Sequence, residues 1–273
     1  MRTLMATLVL ATGIAIRLPG QAPQGVEAAE LAKQLSNPVA SLVSMPFQFN
    51  WENGVGPGED TRMVLNFQPV MPFSLNPSTN IIARVILPYV SQPSLAPGAD
   101  PASGFGDVVF SLFFSPARPK GVIWGLGPVV SLPMSSDPFL GSGKWGFGPT
   151  GLLLKQAGPW TMGVLANHVW SFAGDSDRDA VSQTFIQPFL AYGTKGGVTL
   201  TVQSESTANW NAPSGEEWSI PINGVLSKVV RLGQRPMSIA VGAGYYVDTP
   251  EGGPEWKIRS AVTLMFPTAA RPR

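Results

Sequence analysis

The chain has 273 residues, enough for one large domain or two ordinary ones. Hydrophobic residues make up 44% of it and charged residues only 13%, about half the usual charged share of a soluble globular protein, which argues against a soluble enzyme. The 18 basic and 17 acidic residues leave no strong field to attract nucleic acid, and the absence of cysteine excludes disulfides and thiolate metal sites.

The N-terminus has the pattern of a cleaved signal peptide, which we place at residues 1–28. Met1 and Arg2 form a short positive region, and residues 3–16 form an apolar run that ends at Arg17. At about fourteen residues this run is too short for a membrane helix but has the length of a signal-peptide core. Cleavage after Ala22 or Ala28 would leave small residues at the new end. We therefore expect export from the cytoplasm.

Residues 29–42 are expected to form a periplasmic segment ahead of the first strand. An apolar stripe at helical spacing runs through residues 26–35, and Asn37-Pro38 would end it. The segment is either a short helix in the lumen or at the periplasmic rim, or a frayed terminal tail.

From Val43 onward, apolar residues recur at every second position, with turn residues at regular intervals. Met63, Leu65 and Phe67, for example, alternate with Arg62 and Asn66. One face is continuously apolar, while the other carries small and polar residues with few charges, as in a barrel wall between lipid and lumen. Residues 43–267 are therefore predicted to form a transmembrane antiparallel up-and-down β-barrel of about twelve strands, followed by a tail at 268–273. The predicted strands are 43–53, 61–73, 80–90, 104–115, 121–133, 144–155, 159–170, 182–193, 197–209, 216–230, 235–247 and 255–266.

The predicted connections alternate in length, which supports this strand count. Long loops such as 171–181 would lie outside the cell, and tight turns such as 156–158 would face the periplasm. Most tryptophans fall at or near predicted strand ends, where an aromatic girdle meets the lipid headgroups. These are Trp51, Trp145, Trp160, Trp170, Trp210, Trp218 and Trp256. The expected location is the bacterial outer membrane, with its lipid and lipopolysaccharide as partners.

The last predicted strand is amphipathic and ends in an aromatic residue, Phe266. This arrangement resembles the signal by which the barrel-assembly machinery recognises outer-membrane barrels, so that machinery is an expected partner. Seven further residues, 267–273, follow the aromatic residue.

Several segments resemble the meta-pathway phenol-degradation family of bacterial outer-membrane proteins. They are residues 31–47 (LAKQLSNPVASLVSMPF), 141–149 (GSGKWGFGP), 167–175 (NHVWSFAGD), 207–210 (TANW) and 252–256 (GGPEW). The resemblance extends over about residues 30–267. It implies an outer-membrane barrel with a role in passing hydrophobic or aromatic compounds.

Residues for catalysis or metal binding are sparse. The one histidine, His168, lies beside Asn167, and Ser171 has the opposite strand parity, so the local pairing of a lipase is missing. The acids at Asp175, Asp177 and Asp179 lack the rest of a calcium loop. We expect no catalytic residue, no metal site and no cofactor.

Charged residues on the polar faces are candidates for the lumen, because an unpaired charge facing lipid would be costly. These are Arg84, Asp107, Glu205, Lys257 and Arg259, and they are expected to pair. They either fill and stiffen a narrow barrel or line a polar constriction. Candidate aromatic lumen residues are Phe105, Phe113, Phe185 and Phe189.

The sequence thus predicts an outer-membrane channel or transporter that passively admits small hydrophobic or aromatic compounds, and no enzyme. Two alternatives remain open. One is a structural or adhesive barrel with a closed lumen, and the other, less favoured, is an outer-membrane lipase.

Overall fold

A computed structural model describes residues 24–96 and 98–267. The predicted signal peptide at 1–28 lies mostly outside the described residues, and the predicted tail at 268–273 lies wholly outside them. Within these residues, the chain forms one α-helix, α1 (Gln24–Leu35), and then a single antiparallel sheet that closes on itself. Residues 24–28, which the sequence analysis placed in the signal peptide, belong to α1.

The sheet contains fifteen strands, and one short 3-10 turn, Pro138–Leu140, lies in a loop outside it. The strands are β1 (Leu42–Val55), β2 (Asp60–Phe67), β3 (Val70–Asn76), β4 (Thr79–Gln92), β5 (Ala102–Phe105), β6 (Val108–Pro116), β7 (Val122–Leu132), β8 (Lys144–Ala157), β9 (Trp160–Gly174), β10 (Ser182–Gly193), β11 (Val198–Ser204), β12 (Ser206–Asn209), β13 (Trp218–Leu232), β14 (Arg235–Asp248) and β15 (Trp256–Pro267).

Three of the predicted strands are each interrupted once, so the fifteen strands form a closed barrel of 12. The interruptions fall between β2 and β3, between β5 and β6, and between β11 and β12. At the first, Pro69 has no N–H to give to the ladder. The strand count and the barrel fold predicted from the sequence are confirmed.

Pairing of the first and last strands closes the barrel. The register runs from Leu42 opposite Pro267 to Asn53 opposite Trp256 without interruption. Because closure pairs the first strand with the last, the sheet has no open edge along its path, which a membrane requires of its spanning strands.

The two ends of the barrel differ. The loop end carries 56–59, 93–101, 133–143, 175–181, 210–217 and 249–255, while the turn end carries 77–78, 117–121, 158–159, 194–197 and 233–234. In outer-membrane barrels the short turns face the periplasm. We orient the barrel accordingly.

The outer wall is apolar and the inner wall is mixed. On β1, Asn50 and Glu52 are buried inside, whereas Trp51 between them faces outward. Exposed aromatic residues mark the wall near both ends, such as Trp170 and Trp256 near the loop end and Trp160 packed on Tyr192 near the turn end. Such an exterior matches a lipid core bounded by two headgroup zones. Among the residues described, no helix is long and apolar enough to cross a membrane.

Candidate functional site in the barrel lumen

An ion-pair cluster lies on the inner wall around Glu205, which sits at the interruption between β11 and β12. Arg259 on β15 donates to both carboxylate oxygens of Glu205, with Nη1 at 3.0 Å from Oε1. The Nζ of Lys257 lies 3.5 Å from the same carboxylate. Arg259 also donates from Nε to Asn50 Oδ1 at 2.7 Å. One carboxylate therefore balances two buried cations.

A second ion pair lies beside the first. Arg62 on β2 donates from Nε to Glu52 on β1 at 2.8 Å, and the Tyr246 hydroxyl donates to the other carboxylate oxygen of Glu52 at 2.8 Å. The ammonium of Lys257 lies 5.2 Å from the centre of the Tyr246 ring, within the range of a cation–π contact. Tyr246 thus joins the two ion pairs. The sequence analysis did not name Glu52, Arg62 and Tyr246 as lumen residues. Asn50 and Glu52 are polar residues at alternate positions of β1, and this pattern would have indicated an inward face.

Arg84 differs from these cations in its partner. Its Nη2 donates to Gln68 Oε1 at 2.9 Å, across the interruption between β2 and β3. Among the described residues, no carboxylate lies within 4.0 Å of its guanidinium. Arg84 therefore has an amide oxygen, rather than a carboxylate, as its hydrogen-bond partner.

Two cavities are stacked along the lumen, and Arg84 borders both. The outer cavity, near the loop end, has a volume of about 680 Å³ and is lined by Asp107, Asn167 and Phe185 among others. The inner cavity has a volume of about 300 Å³ and is lined by residues of the N-terminal segment and by Phe189 and Arg259. Arg84 lies at the junction that a solute passing along the axis would have to cross.

The N-terminal segment packs against the inner wall at the turn end and lines the inner cavity. Leu31 and Ala32 of α1 pack against Leu42, Val229 and Met265 of the barrel. Farther along the segment, Val39 is buried in the lumen in a cluster with Ile82, Phe113, Leu152, Leu154 and Leu165. We call α1 and residues 36–41 the plug.

Polar contacts hold the plug in place. Glu27 pairs with Arg231, and the Gln156 side chain donates to the Lys33 carbonyl at 3.0 Å. Gly197, with φ of +73°, lies so close to the helix that a Cβ there would be 2.8 Å from the Cβ of Ala28. Of the two alternatives that the sequence left open, the structure shows a helix.

Three of the four candidate aromatic residues lie inside the barrel. Phe113 is fully buried, and Phe185 and Phe189 pack against its cluster. The prediction for Phe105 is wrong, because its ring packs edge-on against Tyr89, 5.4 Å between centroids, and is 48% exposed on the outer wall. The interruption at Gly106-Asp107 changes the strand parity between β5 and β6, and simple alternation through it therefore assigned Phe105 to the wrong face.

Asp107 lines the outer cavity, but among the described residues no cation lies within 4.0 Å of its carboxylate, so the expected pairing of the lumen charges does not extend to it. Its carboxylate accepts from the backbone N–H and the hydroxyl of Ser142, both at 2.7 Å, and from the Ser135 N–H. Arg178 from the next loop donates to the Pro138 carbonyl at 2.9 Å. These contacts fold loops 133–143 and 175–181 together beside the mouth.

His168 lies on the outer wall, near the loop-end aromatic residues. Its Nδ1 is 2.7 Å from Thr184 Oγ1, its Nε2 is 3.4 Å from Ser182 Oγ, and its ring contacts Trp170 at a tilt of 47°, 4.0 Å between centroids. Ser171, the serine weighed from the sequence, instead accepts from the Val181 N–H. Among the described residues, no group of three or more histidine or acidic side chains could hold a metal ion.

No protein-family model and no curated protein matches the sequence. Among solved structures, the chain is similar to the COG4313 outer membrane channel from Pseudomonas putida F1, with 15% identity and a TM-score of 0.63 over 83% of this chain and 96% of that one. It is also similar to outer membrane phospholipase A from Escherichia coli, with 15% identity and a TM-score of 0.44 over 90% and 98% of the two chains. Together with the closed sheet and the apolar outer wall, the likeness to the channel shows that the chain has the fold of a bacterial outer-membrane β-barrel.

Proposed function

We propose that the protein is a passive outer-membrane channel for small solutes, with a preference for anionic aromatic compounds. A solute would diffuse from the outer cavity past Arg84 into the inner cavity, and no covalent step is involved. The observation that carries the proposal is the position of Arg84, unpaired by any carboxylate, at the junction of two lumen cavities.

The charge balance around Arg84, below the outer cavity that Asp107, Asp177, Asp179 and Arg178 line, supports the preference for anions. The two ion pairs and Arg84 together comprise four cations, Arg62, Arg84, Lys257 and Arg259, and two carboxylates, Glu52 and Glu205. In a narrow lumen with low-dielectric walls, the excess positive charge raises the local concentration of anions.

The aromatic part of the preference is supported by side chains and by resemblance. Phe185 lines the outer cavity and Phe189 the inner one, so a phenyl ring would meet aromatic surface on either side of Arg84. The resemblance to the phenol-degradation family agrees with such a solute, and the similar barrel from Pseudomonas putida F1 is itself named a channel.

Because the plug occupies the turn end of the lumen, the proposed channel is a gated one. α1 and Val39 occupy the turn end of the lumen, and in this proposal the channel opens when the plug moves. In planar bilayers, we expect a chain beginning at Leu42 to conduct steadily and a chain beginning at Gln24 to conduct in short, rare openings.

Ion selectivity tests the role of Arg84. The truncated channel should prefer chloride to potassium in a salt gradient, and Arg84→Gln should lower that permeability ratio by about two- to threefold, because one lumen charge is lost. Lys228→Gln, which removes the same charge from the outward face of β13, is the matched control and should change nothing. Benzoate should interrupt the chloride current more strongly than acetate.

Absence of conductance from the truncated and folded barrel would contradict the channel proposal. The protein would then be a structural or adhesive barrel with a closed lumen, whose acidic loops contact other surfaces.

Hydrolysis of a lipid ester is a second candidate, favoured by one observation. The contacts of His168 with Ser182 and Thr184 place a serine, a histidine and an orienting hydroxyl in sequence on the lipid-facing wall. Release of fatty acid from phosphatidylethanolamine vesicles, lost in both Ser182→Ala and His168→Ala, would support it. No release by the unmodified protein would eliminate it.

A further inference from the structure

Positively charged side chains are concentrated at the turn end of the barrel. Within the described residues, seven exposed cations lie in the turns there or on the adjoining ends of the strands. They are Arg118, Lys120, Lys155, Lys195, Lys228, Arg231 and Arg235. Acidic residues are scarce at this end, where α1 supplies Glu27 and Glu30, and the other described acids lie in the lumen or at the loop end. The turn end therefore carries a net positive charge.

Most of this charge has no counter-charge within the protein. Arg231 pairs with Glu27. In the part of the chain that the structure describes, none of the other six cations lies within 4.0 Å of a carboxylate. Unpaired cations of this kind attract an anionic surface that comes within a Debye length, about 8–10 Å at physiological salt.

An aromatic pair on the outer wall lies among three of these cations. Trp160 is the first residue of β9 and Tyr192 the last but one of β10, and the two residues are opposite each other in the ladder. Both are exposed, and their rings meet edge-on with 4.8 Å between centroids. Lys155 lies two residues before the end of β8, and Lys195 lies in the turn that follows β10.

Lys120 joins this group through the register of the neighbouring hairpin. Lys155 is opposite Val122, the first residue of β7, and Lys120 lies in the turn two residues before Val122. Two lysines, Lys120 and Lys155, therefore lie on one side of the aromatic pair, and Lys195 lies on the other.

The depth of this group in the wall points to a lipid headgroup. β8 has 14 residues, whereas a tilted strand crosses the hydrocarbon core with about 9–11, so the last residues of β8 reach the headgroup zone. Lys155 is exposed on the same outward face as Leu153, while Leu154 between them is buried. A lysine in this position lays its stem along the apolar wall and extends its ammonium to the phosphates.

We propose that Lys120, Lys155 and Lys195, around the Trp160–Tyr192 pair, bind the phosphate of an anionic phospholipid in the inner leaflet of the outer membrane. Clusters of lysine and arginine at a membrane surface attract anionic lipids, and exposed aromatic rings fix the depth of the wall at the headgroups. This interaction surface lies on the outside of the barrel and is independent of the proposed channel function.

The charge of the headgroup decides which phospholipid binds. Phosphatidylglycerol carries an uncompensated phosphate, whereas the phosphate of phosphatidylethanolamine is balanced by its own ammonium. Lysine binds phosphate as a point charge, so three lysines without a carboxylate partner favour the headgroup with net negative charge. A soluble acidic protein would reach the turns that carry Lys120 and Lys195 but not the lipid-facing wall that carries Lys155.

Native mass spectrometry of the protein extracted from outer membranes in mild detergent tests this assignment. Phosphatidylglycerol titrated into the sample should be retained more tightly than phosphatidylethanolamine. Lys155→Gln should weaken retention of phosphatidylglycerol by about fivefold, the effect of one cation near an anionic headgroup. Replacing all three lysines by glutamine should remove the preference for phosphatidylglycerol. Because the three side chains are exposed, the variants should keep the heat-modifiable mobility of the folded barrel in SDS gels.

Lys144→Gln is the matched control, because it removes the same charge from the opposite end of the same strand, β8. It should leave retention of phosphatidylglycerol unchanged. An equal loss in Lys144→Gln and Lys155→Gln would show that only the net charge of the protein matters, and equal retention of the two lipids by the unmodified protein would overturn the proposal. Displacement of phosphatidylglycerol by poly-L-glutamate would also overturn it and would assign the lysines to an acidic soluble partner.

Discussion

Glu205 is the side chain on which the lumen charges depend most. Its carboxylate meets Arg259 through two hydrogen bonds and Lys257 at 3.5 Å, and both cations are almost fully buried. In the sequence, Glu205 falls on the same polar face as residues 199, 201 and 203, and this alternation indicated that it points into the lumen. Which cations it meets was not predictable, because β11 and β15 are far apart along the chain.

At this scale we predict that Glu205→Gln destabilises the barrel. Removing the shared carboxylate leaves two buried cations without a counter-charge, and the Glu205 side chain is only 19% exposed. We expect the free energy of unfolding to fall by about 1–3 kcal/mol, less than for a fully buried pair because water reaches the lumen. Urea titration of the refolded barrel, followed by tryptophan fluorescence, measures it.

Asp100→Asn, in an exposed loop, is the control and should shift the midpoint little. A midpoint for Glu205→Gln that equals that of the control would show that the cluster does not stabilise the barrel.

Among the elements, the plug and the interrupted strands distinguish this barrel from a regular up-and-down barrel with an empty lumen. The boundaries of most strands follow the predictions closely, since alternation and turn residues are local signals. β9 is longer than predicted and continues to Gly174. The interruptions were not predicted, and they bring Gln68, Asp107 and Glu205 to their places in the lumen.

At the scale of elements we predict that the ion pair between Glu27 and Arg231 holds the plug. Both side chains are more than a third exposed, at 49% and 43%, so the pair contributes at most about 1 kcal/mol. Arg231→Glu should therefore raise the open-to-closed ratio of the chain that begins at Gln24 by up to about fivefold, because two carboxylates then repel each other. Single-channel recording measures this ratio.

The charge swap Glu27→Arg with Arg231→Glu restores the pair and should return the ratio to its original value. Openings that are equally rare in the single variant and in the original chain would show that other contacts, such as that of Gln156 with the Lys33 carbonyl, are sufficient.

Closure of the barrel through β1 and β15 is the property of the whole molecule on which the sheet and the charge cluster in the lumen both depend. Because β15 supplies Lys257 and Arg259 as well as the partner of β1, its loss would open the sheet and dismantle the charge cluster at once. An open sheet edge in lipid leaves a row of backbone groups unpaired.

We therefore predict that a chain ending at Glu255 does not form a heat-modifiable barrel, whereas a chain ending at Pro267 does. The mobility of unheated and heated samples in SDS gels distinguishes folded from unfolded protein. A heat-modifiable band for the shorter chain would show that closure does not require β15.

The sequence by itself determined the class of the protein and most of its wall. Alternation of apolar residues, turn spacing and scarcity of charge are local patterns, each set by residues close together in the chain. These patterns predicted the barrel, its twelve strands and its outward face. Only the tertiary structure decided which inward charges meet, where Phe105 points, that the N-terminal helix packs inside the turn end of the barrel, and that two Gly-Pro pairs lie side by side. These features depend on register across strands and on the ring that the sheet forms when it closes, and both bring together residues that are distant in the chain.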